Sequence, residues 1–340
     1  MSSVTLIGIG SAGIATVNQL TETNIYKLKT IAVDTDTQRL ANAKADVKIQ
    51  AGKTLCNGNG TGFNPELGEQ ALIEAKDALI AELNGSKLVI ISTGLGGGTG
   101  SGSVAPIMQI VKDLGILSYT LVTTPFGYEN LDGSTREFNT QYAIDSIQKI
   151  NTAYEIIDGQ KIENYLNGEI NMFDLFAVPR LELLNKIKAL TSLVVEHGEI
   201  NIDFADISRV LNIGGRSFIN SISGDSIHQI TQSVLVPKFS HNTDLSGVTG
   251  YLANIAAKNV SKLDVLAVNS KIKTLANSQT QNKVGFSQND SDQKTLTVVL
   301  TGIGSSHQVY TPVNYQKEFE VLKETQKNGI NILNSSKFVF

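Results

Sequence analysis

Residues 94 to 103 read Gly-Leu-Gly-Gly-Gly-Thr-Gly-Ser-Gly-Ser, six glycines in ten positions, directly after the apolar run Leu88-Val-Ile-Ile91. A strand followed by bare backbone and then a helix leaves free N–H groups at a helix N-terminus, where amides and the helix dipole hold anionic oxygens. The hydroxyls of Thr99 and Ser101 add side-chain donors. A second segment of the same kind, Gly8-Ile-Gly10-Ser11-Ala12-Gly13, stands between a strand-like run and a helical pattern. Two helix N-termini converging on one ligand suit a triphosphate, whose oxygens successive amides can wrap. The pattern G-x-x-x-x-G-K-[ST] is absent and no lysine follows the glycines, so such a cradle works through backbone amides and a divalent cation.

Two segments admit more than one reading. Gly8 to Gly13 satisfies G-x-G-x-x-G, and Asp34 ends the next strand where a ribose-binding acid would sit, so the segment alone fits a nicotinamide or flavin enzyme. A tight turn between strand and helix gives the same spacing. An NAD-dependent oxidoreductase, however, leaves the second glycine string without a purpose. Farther on, Asn201-Ile-Asp203-Phe-Ala-Asp206 sets two carboxylates three residues apart. From the residues alone, Asp203 or Asp206 caps the helix that follows.

These residues need a scaffold, and the chain offers one. Val4 to Ile9, Thr30 to Val33, Leu88 to Ser92 and Tyr119 to Thr124 are strand-like, and helical patterns run from about Ala12, from Pro65 to Glu82 and from about Val104. That alternation predicts an α/β fold with a doubly wound parallel sheet, whose ligands bind beyond the strands' carboxyl ends. Leu183, Ile187, Leu190 and Val194 fall at helical spacing and predict a long central helix from Val178 to Glu196, with Pro179 in its first turn and Gly198 beyond its end. Runs at Ser233 to Val236, Gly250 to Ala256 and Thr295 to Leu300, with a helix near Ser261 to Ile272, predict a second α+β domain. Asn277 to Gln293 reads as a solvated loop or hairpin flank.

The 340-residue chain is 41% hydrophobic and 18% charged, with a net charge of -4, so it can bury a large core and shows no basic cluster for direct binding of nucleic acid or an anionic membrane. The single cysteine, Cys56, cannot form an internal disulfide, and His197, His228, His241 and His307 stand at no metal-ligand spacing. A cytoplasmic protein is expected, since the N-terminus passes straight into a strand and no apolar run is long enough to span a membrane.

The string Gly96-Gly97-Gly98-Thr99-Gly100-Ser101-Gly102 resembles the G-G-G-T-G-[ST]-G signature of the tubulin/FtsZ superfamily of polymerising GTPases. Ala32 to Asp36, Gly60 to Pro65 and Thr124 to Glu129 resemble its other nucleotide loops in order and spacing, and the likeness runs from about residue 4 to 304. The resemblance implies a nucleotide domain over residues 1–175, a central helix over 176–200, a second domain over 201–310 and a C-terminal helix or tail over 311–340. It implies GTP or GDP with magnesium carried by the nucleotide, bound by Gly10, Ser11, Ala12, Gly13, Asp36, Thr61, Gly62, the string from Gly96 to Gly102, Glu129, Arg136, Phe176 and Glu182. The N-x-D-x-x-D likeness implies that Asn201, Asp203 and Asp206 reach from one subunit into the next, giving a head-to-tail homopolymer whose assembly switches on hydrolysis.

The chain departs from the family's pattern in several places. Ile14 and Ala15 stand where the family carries glycine and asparagine, which removes one polar contact to the nucleotide. Arg136 comes later after Glu129 than the family's arginine, and Pro179 is foreign to the pattern. These departures leave room for a degenerate relative that binds nucleotide and co-assembles with little hydrolysis. Tyr315 to Asn328 reads as a charged amphipathic helix, and the C-terminal segment could dock on the next subunit or on an adaptor protein, in a division filament or one that positions plasmid or phage DNA.

Overall fold

The computed structural model describes residues 4–23, 28–130, 135–166, 171–195, 202–241 and 244–304, all within one compact unit, Met1–Ser305. Asn201, His197, Gly198, His307 and the C-terminal segment from residue 305 lie outside the described residues.

Apolar runs with helices between them fold as the sequence predicts. Strands β1 (Val4–Ile9), β2 (Lys29–Asp34), β3 (Val47–Gln50), β4 (Leu88–Gly94), β5 (Leu117–Thr123), β6 (Ala153–Ile157) and β7 (Gly215–Arg216) form one sheet in the order β3-β2-β1-β4-β5-β6-β7. Every pairing in it is parallel. The helices are α1 (Gly10–Thr23), α2 (Thr37–Ala41), α3 (Pro65–Glu74), α4 (Lys76–Leu83), α5 (Gly98–Asp113), α6 (Thr135–Gln148), α7 (Gly159–Leu166), α8 (Met172–Val195) and α9 (Phe204–Leu211). Chain order reverses between β1 and β4, and a crevice opens beyond the carboxyl ends of strands at such a point.

The central helix α8 starts six residues earlier than the pattern predicts, so Pro179 lies inside it rather than in its first turn. There the proline removes one helical hydrogen bond. Leu183, Leu184, Ile187 and Leu190 of α8 are buried in a core that also holds Leu6, Leu88 and Tyr119 of the parallel sheet. The same core contains Ile219, Leu252 and Val299 of a second sheet, so α8 is packed from both sides.

That second sheet has the order β10-β9-β11-β8, built from β8 (Phe218–Gly224), β9 (Val248–Ala257), β10 (Ala276–Gln288) and β11 (Lys294–Thr301), with helices α10 (Ile227–Val234) and α11 (Lys262–Lys273). The apolar end of α10 had the look of a strand at Ser233 to Val236, but Val234 is the helix's last residue and the chain turns at Leu235. The polar stretch after Asn277 is a strand rather than a loop, paired parallel with β9 along the sheet's edge. Exposed edge positions accept Asn, Gln and Ser, because the ladder's hydrogen bonds come from the backbone. The helical reading from Pro65 to Glu82 breaks at Ala75 into α3 and α4.

Candidate functional site

A cavity of about 560 Å³ opens at the reversal point, and its walls come from the segments that follow β1, β2, β3, β4 and β5 and from α6 and α8. Gly10, Ser11 and Ala12 open α1, and Gly97, Gly98, Thr99 and Gly100 open α5, so both helices start at the cavity. Gly10 has φ +64°, a backbone state that disfavours any side chain. The glycine string is not wholly a loop, as a helix start near Val104 implied. From Gly98 onward it forms the first turns of α5, placing free amides against the cavity.

The loops are braced from within. Thr99 Oγ1 lies 2.7 Å from Thr35 Oγ1, tying the start of α5 to the end of β2. The Gly96 amide donates to Ser101 Oγ at 2.9 Å. Asn139 Nδ2 donates to Phe63 O at 2.7 Å and to Gly96 O at 3.2 Å, clamping two loops from α6. Asn139 carried no signal in the sequence, being one polar residue in a helix.

The structure brings Gly10, Ser11, Ala12, Asp36, Thr61, Gly62, Gly97, Gly98, Thr99, Gly100, Glu129, Arg136 and Phe176 to the cavity wall. Gly13, Gly96, Ser101, Gly102 and Glu182 are not on it. Gly13 packs α1 against β1 and β4, and a Cβ there would collide with Ser92 O. Gly102 packs against Pro65 O at the start of α3. Glu182 turns to Lys186, 3.2 Å away. Along α8 the wall residues are Phe176, Pro179, Arg180 and Leu183, an i, i+3, i+4, i+7 stripe that leaves Glu182 on another face. Asp34, the acid expected at a ribose, is fully buried and accepts from the amides of Thr35 and Asp36 and from Arg39 Nη1 at 2.9 Å.

The wall carries two carboxylates, and both are held. Asp36 caps α2, accepting from the amides of Gln38 and Arg39, and lies 3.4 Å from Arg39 Nη2. Glu129 accepts from the Phe126 amide at 3.0 Å and lies 3.4 Å from Arg136 Nη1. Arg136 also lies over the Phe63 ring, 5.0 Å from its centroid. Beside them, burial raises the pKa of the Tyr128 phenol, and the charges of Glu129 and Glu163 raise it further against Arg136, so the group stays neutral.

Asp203 and Asp206 are elsewhere. Asp203 caps α9, accepting from the Asp206 amide at 2.7 Å, as the capping reading predicts. Asp206 is buried and pairs with Arg209 and with Lys283 Nζ, the latter at 3.2 Å. Neither lines the cavity. Among the described residues no group of three or more His, Cys, Asp or Glu side chains could hold a metal ion, and no helix is long and apolar enough to cross a membrane. His241 is buried with Nδ1 2.8 Å from Asp158 Oδ2, and Cys56 is buried as well.

Known proteins match this arrangement. Residues 3–167 match the Tubulin/FtsZ family, GTPase domain. The cell division protein FtsZ of Wigglesworthia glossinidia brevipalpis is 33% identical over 307 residues, covering 88% of this chain and 79% of that one. The chain belongs to the tubulin/FtsZ family. FtsZ 1 of Methanocaldococcus jannaschii is 35% identical over 75% of this chain and 69% of its own length. A structure of M. jannaschii FtsZ, an empty dimer, superposes with a TM-score of 0.79 at 29% identity, covering 91% of each chain. CetZ2 of Haloferax volcanii, 18% identical with a TM-score of 0.76, shares the fold. The matched GTPase-domain residues, 3–167, include the glycine-rich starts of α1 and α5 that line the crevice.

Proposed function

We propose that this chain binds GTP in the crevice, assembles head to tail into filaments and hydrolyses GTP where one copy's α9 segment meets the next copy's crevice. The observation that carries this reading is the division of labour among polar groups. The crevice presents amides at two helix N-termini, and its two carboxylates, Asp36 and Glu129, are already engaged by arginines and backbone amides. A phosphate site of that kind grips its ligand but offers no free base to orient water. Asp203 and Asp206 stand at the start of α9, outside the crevice, and are themselves held, Asp203 by the Asp206 amide and Asp206 by Arg209 and Lys283, so in this reading a neighbouring copy must draw them from those partners.

A magnesium ion fits this chain only as a companion of the nucleotide, since the described residues contain no three-acid cluster to cage it and magnesium commonly keeps phosphate and water ligands. When bound, it would neutralise phosphate charge. The chain's own part is to hold phosphate oxygens at the amides of Gly97 to Gly100 and Gly10 to Ala12, and the sugar beside the Glu129–Arg136 pair. Self-association is supported by the dimer seen for the M. jannaschii relative. A cytoplasmic filament for cell division, the role named for the bacterial relatives, or for positioning DNA, accords with this chemistry.

The test is light scattering with parallel phosphate release after adding GTP and magnesium, across a series of protein concentrations. A critical concentration shared by both signals is expected. Release that is linear in protein with no scattering would overturn assembly-linked hydrolysis. Scattering with negligible release would instead favour the degenerate relative that Ala15 and the altered segment after Glu129 admit.

A further inference from the structure

The cavity wall holds three arginines, and two of them are committed. Arg39 pairs with Asp34 and Asp36, and Arg136 with Glu129. Arg180 lines the same cavity, is half-buried, and has no hydrogen-bond or ion-pair partner among the described residues. It stands one helical turn after Phe176, flanked along the stripe by Pro179 and Leu183. In mid-helix the backbone amides are spent on the helix itself, so this wall can offer a ligand only side chains. The glycine walls offer amides, which suit phosphate, whereas an apolar stripe with one guanidinium suits a flat heterocycle with a polar edge.

We propose that Arg180 is the residue that selects guanine, by donating to the acceptor edge formed by O6 and N7. A guanidinium only donates. Guanine presents two acceptors side by side there, while adenine replaces one with an amino donor, so the fork that fits guanine meets a repelling group on adenine. Glu182, which the family resemblance placed at the nucleotide, is turned to Lys186 instead. The inference rests on the nucleotide reading above and adds which edge of the base is read.

The experiment is equilibrium binding of GDP, inosine diphosphate, 7-deaza-GDP and ADP to the wild-type chain and to Arg180→Ala. Inosine keeps O6 and N7 but lacks the N2 amine, so the wild type should bind it as well as GDP. 7-Deaza-GDP, lacking one acceptor, should bind more weakly, and ADP more weakly still, by roughly five- to hundredfold relative to GDP. Arg180→Ala should remove most of the preference for GDP over ADP, by weakening GDP binding and relieving the repulsion on ADP, so ADP affinity should not fall. An equal loss for all four ligands would mean that Arg180 grips phosphate, and an unchanged preference would mean that another group reads the base; either overturns the proposal. Strong discrimination against inosine diphosphate by the wild type also overturns it, without relying on a variant that must fold. Absence of GDP binding by the wild type would defeat the nucleotide reading itself.

Discussion

Lys186 Nζ lies 2.9 Å from Glu155 Oε1, and both side chains are almost wholly withdrawn from solvent. The ammonium also donates to Ile219 O at 2.7 Å and sits 3.2 Å from Glu182. Glu155 in turn accepts from Ser240 Oγ at 2.6 Å, from the Ile219 amide at 3.0 Å and from the Tyr119 hydroxyl at 3.2 Å. One charge pair therefore binds β6 of the first sheet, α8 and β8 of the second sheet. Burial alone would lower the lysine's pKa, but the two carboxylates outweigh it and hold it above its ordinary value. The helix carrying Arg180 and Phe176 is thus fixed against both sheets through an ammonium that stays charged across the physiological range.

Lys186→Met should lower the unfolding free energy by about 3–5 kcal/mol, because it strands a buried carboxylate. Urea denaturation followed by circular dichroism measures it. Adding Glu155→Gln should restore part of the loss, since the stranded charge is then gone. A single-variant loss under about 1 kcal/mol would show that water reaches Glu155 and screens it.

Asp264 gives a pH signature. It forms a capping box with Ser261, accepting from that residue's amide at 2.8 Å, and lies 2.6 Å from Lys294 Nζ on β11. Burial raises the carboxyl's pKa, but Lys294 and the Ser261 hydrogen bonds outweigh that and leave it below the ordinary carboxylate value. A depressed folded-state pKa stabilises the fold above the unfolded value, near 4, and the stabilisation is lost as pH falls through the folded value. Asp264→Ala should therefore cost about 1–2 kcal/mol at pH 7. The gap to wild type should stay level down to about pH 5 and narrow only below about pH 4. Denaturation curves at several pH values test this, and a gap that widens on acidification would contradict it.

The site was legible in the sequence where backbone did the work, because glycine strings between a strand and a helix leave few other structures available. It was illegible where helix phase decided the outcome. Arg180 and Glu182 are two residues apart, and counting along the chain does not say which faces the crevice; the start of α8 at Met172 does. Lys186 carries no signal in the sequence because its partners come from β6 and β8, distant along the chain. Strand β10 was missed since its stability comes from ladder hydrogen bonds to β9 and not from apolar side chains. The apolar run at the end of α10 had the opposite fault, being short enough to fit either period.

Two glycines of the same string should behave oppositely. At Gly97 the backbone is extended, with φ -88°, and an added Cβ meets nothing within 4 Å. Gly97→Ala should fold with stability within about 0.5 kcal/mol of wild type. Its methyl group would enter the cavity, weakening GDP binding by roughly tenfold or more. At Gly102 a Cβ would collide with Pro65 O, so Gly102→Ala should cost about 1–3 kcal/mol of stability by pushing α5 from α3. Thermal melts and GDP titrations separate the two, and a Gly97→Ala protein that melts early with normal affinity would reverse the assignment.

Complementation between variants tests the shared reaction centre. Asp206→Ala should bind GDP normally, because Asp206 lies outside the cavity wall, yet release phosphate roughly a hundredfold or more slowly if its carboxylate helps orient water for a neighbour. Gly97→Ala should be slow for the opposite reason, having sound acids and a crowded crevice. Mixing the two defective proteins puts an intact crevice of one beside the intact α9 segment of the other. If partners are chosen at random in an equal mixture, about a quarter of the contacts combine both sound halves, and turnover should recover to about that share. Sedimentation confirms that both variants enter the polymer. Co-polymers that stay inactive would place the water-orienting group in the same copy as the nucleotide, since a site built within one chain gains nothing from a second.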